Sequence, residues 1–394
     1  MAAPQPTRGA SARPGERVQR YWQRVTEGAN LQQLWKQFRA DARQSYALYS
    51  REVDWESFQG HGRVKRFFHA TWAVFQSMLM KLSPARRVLL LAAMVLLIYP
   101  LPAILFTDNV AAEAGFLKLF ALGAVLLFIL LALELADRVT MKRDLEIARE
   151  IQHWLIPEQP PQVANADIAF ATRPANTVSG DYYDVLPWPR SGQQLTCDRW
   201  LMVVADVAGK SIPAALLMAT FQASLHTLIG ASETLSDLLT GLNGYACAHS
   251  QGGRRFTTAF FASWEPASRR LTCINAGHNA ALLKRSNGNL ECVNSTGLPL
   301  GITPLNKADD DNSYREIEFQ LEPGDTLVIF TDGLVEAVNA QGSEYGDERL
   351  VGVLRWANNI GSQPILDRLF GDVSAFVGET HQQDDITCLV FQAQ

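Results

Sequence analysis

The sequence predicts an antiparallel α+β domain preceded by two membrane-spanning helices. Three observations carry that reading. Two long apolar runs, 88–106 and 115–136, lie side by side. Beyond them strand-like and helix-like stretches alternate, and strand often follows strand through a short turn such as Glu322-Pro323-Gly324-Asp325. That order favours a largely antiparallel domain over a doubly wound one.

The 394 residues carry 35 Lys+Arg and 40 Asp+Glu, with 47% hydrophobic residues. A chain of this make-up can bury a sizeable core, which excludes global disorder, collagen and disulfide-scaffold classes. The charge is uneven. Residues 1–87 hold 15 basic and 6 acidic residues, so the body is acidic and the arm basic. The two parts should therefore meet different partners. Cys197, Cys247, Cys273, Cys292 and Cys388 are scattered, without a CxxC pair. They read as reduced, buried thiols of a cytosolic compartment.

Residues 1–16 are Pro- and Arg-rich, show no secretory signal and read as a disordered basic tail. Residues 17–87 are polar, basic and studded with aromatics. Leu31, Leu34, Trp35 and Phe38 fit one helical face, suited either to an anionic membrane surface or to a partner. Each apolar run has about the 20 residues needed to span ~30 Å of hydrocarbon. The alternative is a buried helical hairpin. Pro100 and Pro102 would kink the first span. Arg86 and Arg87 precede the first run, and Arg138, Lys142 and Arg143 follow the second. The positive-inside rule then puts both outer flanks, and with them both termini, in the cytoplasm.

Residues 137–157 contain neither Gly nor Pro until Pro157. Met141, Leu145, Ala148, Ile151 and Leu155 share one helical face, as in a signalling helix or short coiled coil of a homodimer. Pro157, Pro160 and Pro161 mark the boundary of a domain at 162–394. Its predicted strands are 168–172, 200–205, 259–264, 271–276, 281–284, 317–321, 326–330 and 386–391. Its predicted helices are 213–229, 235–250, 348–357 and 364–377.

Asp181, Asp206, Asp332, Asp384 and Asp385 sit at strand ends or in turns beside small residues. Converging carboxylates without a His or Cys cluster suit Mg²⁺ or Mn²⁺ rather than Zn²⁺. Each Asp alone is equally an ordinary turn residue or helix cap. His278, in Asn275-Ala276-Gly277-His278-Asn279, reads as a catalytic base or, more simply, as a hydrogen-bonding turn residue.

Several ordered blocks supply a resemblance. They are 146–152 with Leu155-Ile156-Pro157, then 178–185, 205–218, 275–279, 297–301, 330–339, Tyr345-Gly346 and 384–390. From about residue 147 to 391 the chain resembles the bacterial branch of metal-dependent PPM-type phosphatases, those like sporulation stage II protein E and RsbU. The resemblance does not reach residues 1–130. It implies two antiparallel sheets packed as a sandwich and flanked by helices. It implies that Asp181 and Asp206 bridge two Mn²⁺ or Mg²⁺ ions, that Val207 adds its carbonyl, and that Asp332 and Asp384 hold the second ion. Asp184 and Asp385 become supporting acids or a further metal site, and Lys210 a phosphate contact. Gly180 and Gly333 would allow close backbone approach. Lys210 stands where eukaryotic relatives often have a nearby His, and Ser211 replaces a common Gly. The helix after the Asp206 loop is core, or a switch that sets metal geometry.

The implied activity is hydrolysis of phosphoserine or phosphothreonine in a protein, through water activated by two ions ~3.5–4 Å apart. The implied substrate is an anti-sigma-factor antagonist of a bacterial partner-switching pathway, with no nucleic-acid partner. Two rivals are a non-catalytic membrane scaffold of the same fold and a hydrolase of small phosphate esters.

Overall fold

The computed structural model describes residues 72–73, 75–101, 110–189, 198–250, 252–304, 314–357 and 360–394. The expected tail at 1–16, most of the segment 17–87, part of the first apolar run and Cys197 lie outside them. The chain divides into two compact units, residues 1–138 and 139–394.

In the first unit, helix α1 (Pro84–Ile98) starts with Pro at its first turn, where a missing N–H costs nothing. It stops at Ile98, short of the expected 106, as the chain approaches Pro100 and Pro102. Each proline removes a helix N–H and crowds the preceding turn. Helix α2 (Val110–Leu155) runs unbroken for 46 residues, about 69 Å at 1.5 Å per residue. Gly123 of α2 lies close to α1: a Cβ there would stand 2.9 Å from Leu97 and 3.1 Å from the Ala93 carbonyl. Small residues let two helix backbones approach in this way. At the other end of the contact, Arg86 pairs with Asp137 at 2.7 Å and with Glu134 at 3.2 Å. The first part of α2 is long and apolar enough to cross a membrane. Its large side chains stand outward, Phe128 71% and Leu131 65% exposed.

The second unit is a four-layer α/β/β/α sandwich. One sheet has strand order β1-β10-β9-β6-β7 and the other β2-β3-β4-β5-β8. Their strands are β1 (Ala166–Arg173), β2 (Tyr182–Pro187), β3 (Trp200–Val207), β4 (Thr257–Glu265), β5 (Arg270–Ala276), β6 (Ala281–Lys284), β7 (Leu290–Val293), β8 (Ile317–Gln320), β9 (Thr326–Phe330) and β10 (Ile386–Ala393). All of their pairings are antiparallel. The eight expected strands are present. Strands β2 and β7 are additional. Both are edge strands, β2 carrying a buried Asp184 and ending in Pro187, β7 only four residues long. An edge tolerates such residues, and for that reason their sequences carry little strand pattern.

Alternation along the central strands explains the layers. Met202 and Val204 of β3 face the sandwich interior with Phe260, Trp264, Leu283, Leu327, Leu389 and Phe391. The intervening Leu201, Val203 and Ala205 face α3 (Ile212–Leu228) and α4 (Leu235–His249). On the opposite sheet, Val328, Phe330, Cys388 and Val390 pack under α6 (Asp347–Trp356) and α7 (Ser362–Val377). A short helix, α5 (Asp332–Val335), follows β9. Helix α3 is also apolar enough to pass as a span, yet Ala214, Met218, Phe221 and Leu225 are buried against the sheet. Cys273 and Cys388 are buried as expected, but Cys292 is exposed on edge strand β7.

At the start of α3, Ser211 adopts φ 62° and ψ −143°, a conformation nearly confined to glycine, and its side chain makes no cap hydrogen bond. Such a residue stores about 1–3 kcal/mol of strain, partly offset in a Gly variant by about 0.5–1 kcal/mol of chain entropy. Ser211→Gly is expected to stabilise the protein by about 1 kcal/mol, raising the thermal midpoint by roughly 2–4 °C. A lower midpoint in thermal unfolding would contradict the strain assignment.

Candidate metal centre

The antiparallel register brings the acids together. Tyr182 pairs with Ala205, so Asp181 just before β2 comes opposite Asp206 near the end of β3. In the other sheet Cys388 pairs with Phe330, which puts Asp384 and Asp385, before β10, beside Thr331 and Asp332, after β9. The starts of β2 and β10 and the ends of β3 and β9 thus share one end of the sandwich. Asp332 opens α5, and Asp206 lies within β3 rather than beyond it.

Hydrogen bonds fix this end. The Asp385 carboxylate accepts from the Ala175 N–H at 2.7 Å, the Ser179 hydroxyl at 2.7 Å and the Gly180 N–H at 2.9 Å. Three donors on one carboxylate make it an anchor for the loop that carries Asp181. Thr331 donates its hydroxyl to Asp181 Oδ2 at 3.0 Å and accepts the Thr387 N–H at 2.9 Å. Gln152 of α2 grips Ser179 by both its backbone groups. A Cβ at Gly333 would collide with the Asp385 carbonyl, so only glycine lets α5 approach this closely. At Gly180 a Cβ would stand 3.2 Å from the Val207 carbonyl, which therefore faces the Asp181 loop.

The electrostatics show how close the acids are. Burial, then the charge of Asp206, holds the Asp181 carboxyl well above its usual range. Burial, followed by Asp332, Asp384 and Asp385, pushes Asp206 up to about 7. Burial and Asp384 likewise raise Asp332. Among the described residues no three His, Cys, Asp or Glu side chains already close around one point. The donor set nonetheless fits hard divalent cations: oxygen ligands, no thiolate, and carboxyl groups whose ionisation a cation would favour.

Lys210 ion-pairs with Asp384 at 2.8 Å and donates to the Gln383 carbonyl at 3.0 Å. The Asp384 bond raises its pKa, so it is a fixed positive charge and not a proton donor. Asp184 turns elsewhere. Its carboxylate accepts from the Tyr182 hydroxyl at 2.6 Å and the Val185 N–H at 2.7 Å, and meets His226 of α3 at 3.0 Å. His278 is buried against Thr258, and burial pulls its pKa down to about 4, which keeps the ring neutral. Its backbone N–H donates to Asn275 Oδ1 at 2.7 Å, as in a hydrogen-bonding turn.

Sequence reasoning missed Gln152, Ser179, Thr331 and Glu336. Glu336 lines a cleft of about 180 Å³ with Arg173, Lys210, Gln382 and Asp384. Burial and Asp332 raise its pKa. Its only sequence signal is its place four residues after Asp332, one turn along the chain.

The raised acids predict a pH dependence. A carboxyl with a folded pKa above its unfolded value favours the fold when protonated. That stability is present at low pH and is lost as pH rises from about 4 to about 7. The thermal midpoint of the metal-free protein should therefore decrease as pH rises from about 4 to about 7. Asp206→Asn should flatten that slope. A midpoint that rises over the same range, followed by calorimetry in chelator, would refute the clustering.

The family described as stage II sporulation protein E (SpoIIE) matches residues 196–394. Protein IcfG of Synechocystis sp. (strain ATCC 27184 / PCC 6803 / Kazusa) is 26% identical over 287 residues, 66% of this chain and 43% of that protein. Phosphoserine phosphatase RsbU of Bacillus subtilis (strain 168) is 30% identical over 203 residues, 51% of this chain and 56% of RsbU. The chain thus spans about half the length of the curated relatives it matches. The solved SiaA-PP2C domain of Pseudomonas aeruginosa superposes with a TM-score of 0.56 at 22% identity, over 66% of this chain and 99% of that domain. That likeness is one of fold: two antiparallel sheets between helices. With half its length matched by the family and its sandwich of the PP2C type, the chain belongs to the SpoIIE family.

Proposed function

We propose that the chain is a membrane-anchored, metal-dependent protein phosphatase acting on phosphoserine or phosphothreonine. The observation that carries this reading is the meeting of Asp181, Asp206, Asp332 and Asp384, from four chain segments, where burial and mutual repulsion oppose their ionisation. Asp181 and Asp206 would bridge two Mn²⁺ or Mg²⁺ ions with the Val207 carbonyl, and Asp332 and Asp384 would complete the second position. Such a pair supplies an activated water and a clamp on the phosphate oxygens. Lys210 offers the phosphate a permanent positive charge. Asp385 and Thr331 keep the acids in register, and the cleft lined by Arg173 and Glu336 receives the ester.

Two relatives from Bacillus subtilis are named phosphoserine phosphatases, which supports a phosphoserine ester as the substrate. By family analogy the substrate is an anti-sigma-factor antagonist of a partner-switching pathway. The exposed apolar part of α2 supports one membrane span; a second span over 88–106, the bacterial inner membrane and cytoplasmic termini belong to the same proposal, on run length and flanking basic residues. Ile147 and Trp154, exposed on one side of α2, support a homodimer.

Purified protein should hydrolyse an aryl phosphate and then a phosphoserine protein in Mn²⁺. Asp206→Asn and Asp332→Asn should each lower turnover at least about 100-fold, the upper end of the loss seen even when groups behind the ligands are removed. Circular dichroism should stay unchanged. Wild-type turnover in both variants would exclude the dinuclear mechanism. Turnover of the aryl ester with none on any phosphoprotein would favour the small-ester reading.

Reporter fusions at residues 80 and 394 should report cytoplasm, and one at Asn109 the far side of the membrane. A full-length protein that is monodisperse without detergent would contradict the two spans.

A further inference from the structure

The packed face of α2 in the second unit departs at one place from the one its apolar spacing suggests. Ile151 is 49% exposed, while Gln152, one residue on, is 9% exposed. Leu145, Ala148, Gln152 and Leu155 form the packed stripe. An amide buried where a leucine would pack costs free energy unless both its donor and its acceptor are used. Here both are. Gln152 Nε2 donates to the Ser179 carbonyl at 2.6 Å, and Gln152 Oε1 accepts the Ser179 N–H at 3.0 Å. Among helix-forming side chains, only glutamine reaches this far with a donor and an acceptor side by side.

Ser179 in turn places Asp181. Its hydroxyl accepts the Asp181 N–H at 3.0 Å and donates to Asp385 at 2.7 Å. The loop is thus gripped from α2 on one side and from β10 on the other. Beside it a cleft of about 600 Å³, lined by Arg149, His153, Pro174, Thr177, Ser179 and Asp181, leaves room for displacement.

We propose that Gln152 is a positioning residue through which α2 sets the Asp181 carboxylate, and with it the affinity of the site for divalent metal. The inference rests on the metal-dependent reading above. A one-residue shift of the helix moves a side chain 1.5 Å along the axis and 100° around it, more than a hydrogen bond tolerates. Any such movement of α2 opens the clasp. The Asp385 anchor remains, so the loop is released on one side without the domain unfolding.

The test is Mn²⁺ binding by titration calorimetry on the full-length protein in detergent. Gln152→Met and Gln152→Ala should bind Mn²⁺ about 10–100-fold more weakly, the usual effect of removing a group that orients a metal ligand. High Mn²⁺ should restore kcat with KM for an aryl phosphate unchanged, which a general loss of stability would not do. Asp144→Asn, exposed on the same helix, should bind as wild type. Metal affinity that depends on the clasp implies the reverse coupling. In the wild type, Mn²⁺ should therefore slow hydrogen exchange at 145–155, a measurement independent of whether the variants fold. Wild-type Mn²⁺ affinity in both variants, or exchange at 145–155 indifferent to Mn²⁺, overturns the proposal. Absent turnover with the binding differences intact would count against the phosphatase reading alone. A wild type that binds no Mn²⁺ would remove both.

Discussion

Asp206 lies where burial and the charges of Asp332, Asp384 and Asp385 all oppose its ionisation. Like charges this close in a poorly solvated site repel strongly, and nothing local to the four segments would hold them together. The remainder of the domain supplies that restraint. Two sheets buried on both faces cannot relax outward, because Met202 and Val204 are locked inside the sandwich while Leu201, Val203 and Ala205 are locked under α3 and α4. The acids are ends of strands whose middles are immovable. A dense core of this kind deforms little, so the cost of the site is borne by the packing of the whole domain.

Restraint alone would leave the loops free to splay. Two devices prevent this. Asp385 spends its carboxylate on Ala175, Ser179 and Gly180. Thr331 ties β9 to Asp181 and to β10 through one hydroxyl. Both link the sheet of β9 and β10 to that of β2 and β3 at the end where the charges meet. Lys210 adds a single compensating charge, which lies over Asp384. The loops are therefore held in their backbone, and the excess of carboxylates they carry is one that a divalent cation would offset.

Much of the fold was legible because the strands are apolar on both faces and the turns carry Gly, Pro or Asp. The 326–330 and 281–284 strands were readable to the residue. Strand β2 was hidden because Asp184 turns its carboxylate to Tyr182 and His226, a pairing across elements that no local pattern announces. On the helical face at 141–155, Leu145, Ala148 and Leu155 are packed as the spacing suggests, while Ile151 is exposed. Apolar periodicity favoured Ile151, whereas a two-point hydrogen bond to Ser179 made Gln152 the inward residue. The run at 88–106 was readable as apolar, but its regular helix ends at Ile98, as the chain approaches Pro100.

By itself the sequence determined the residue types at each strand end, the apolar character of α2, the glycines that permit close approach and the resemblance that joined scattered blocks into one family. These are properties of local composition and spacing, and they survive in a one-dimensional string. The tertiary structure alone decided which acids face one another, that Asp184 turns to α3, that Lys210 is held charged by Asp384, and that α2 reaches the site through Gln152. Each of those depends on register between strands far apart in the chain. A shift of one residue in either sheet would turn every side chain to the opposite face.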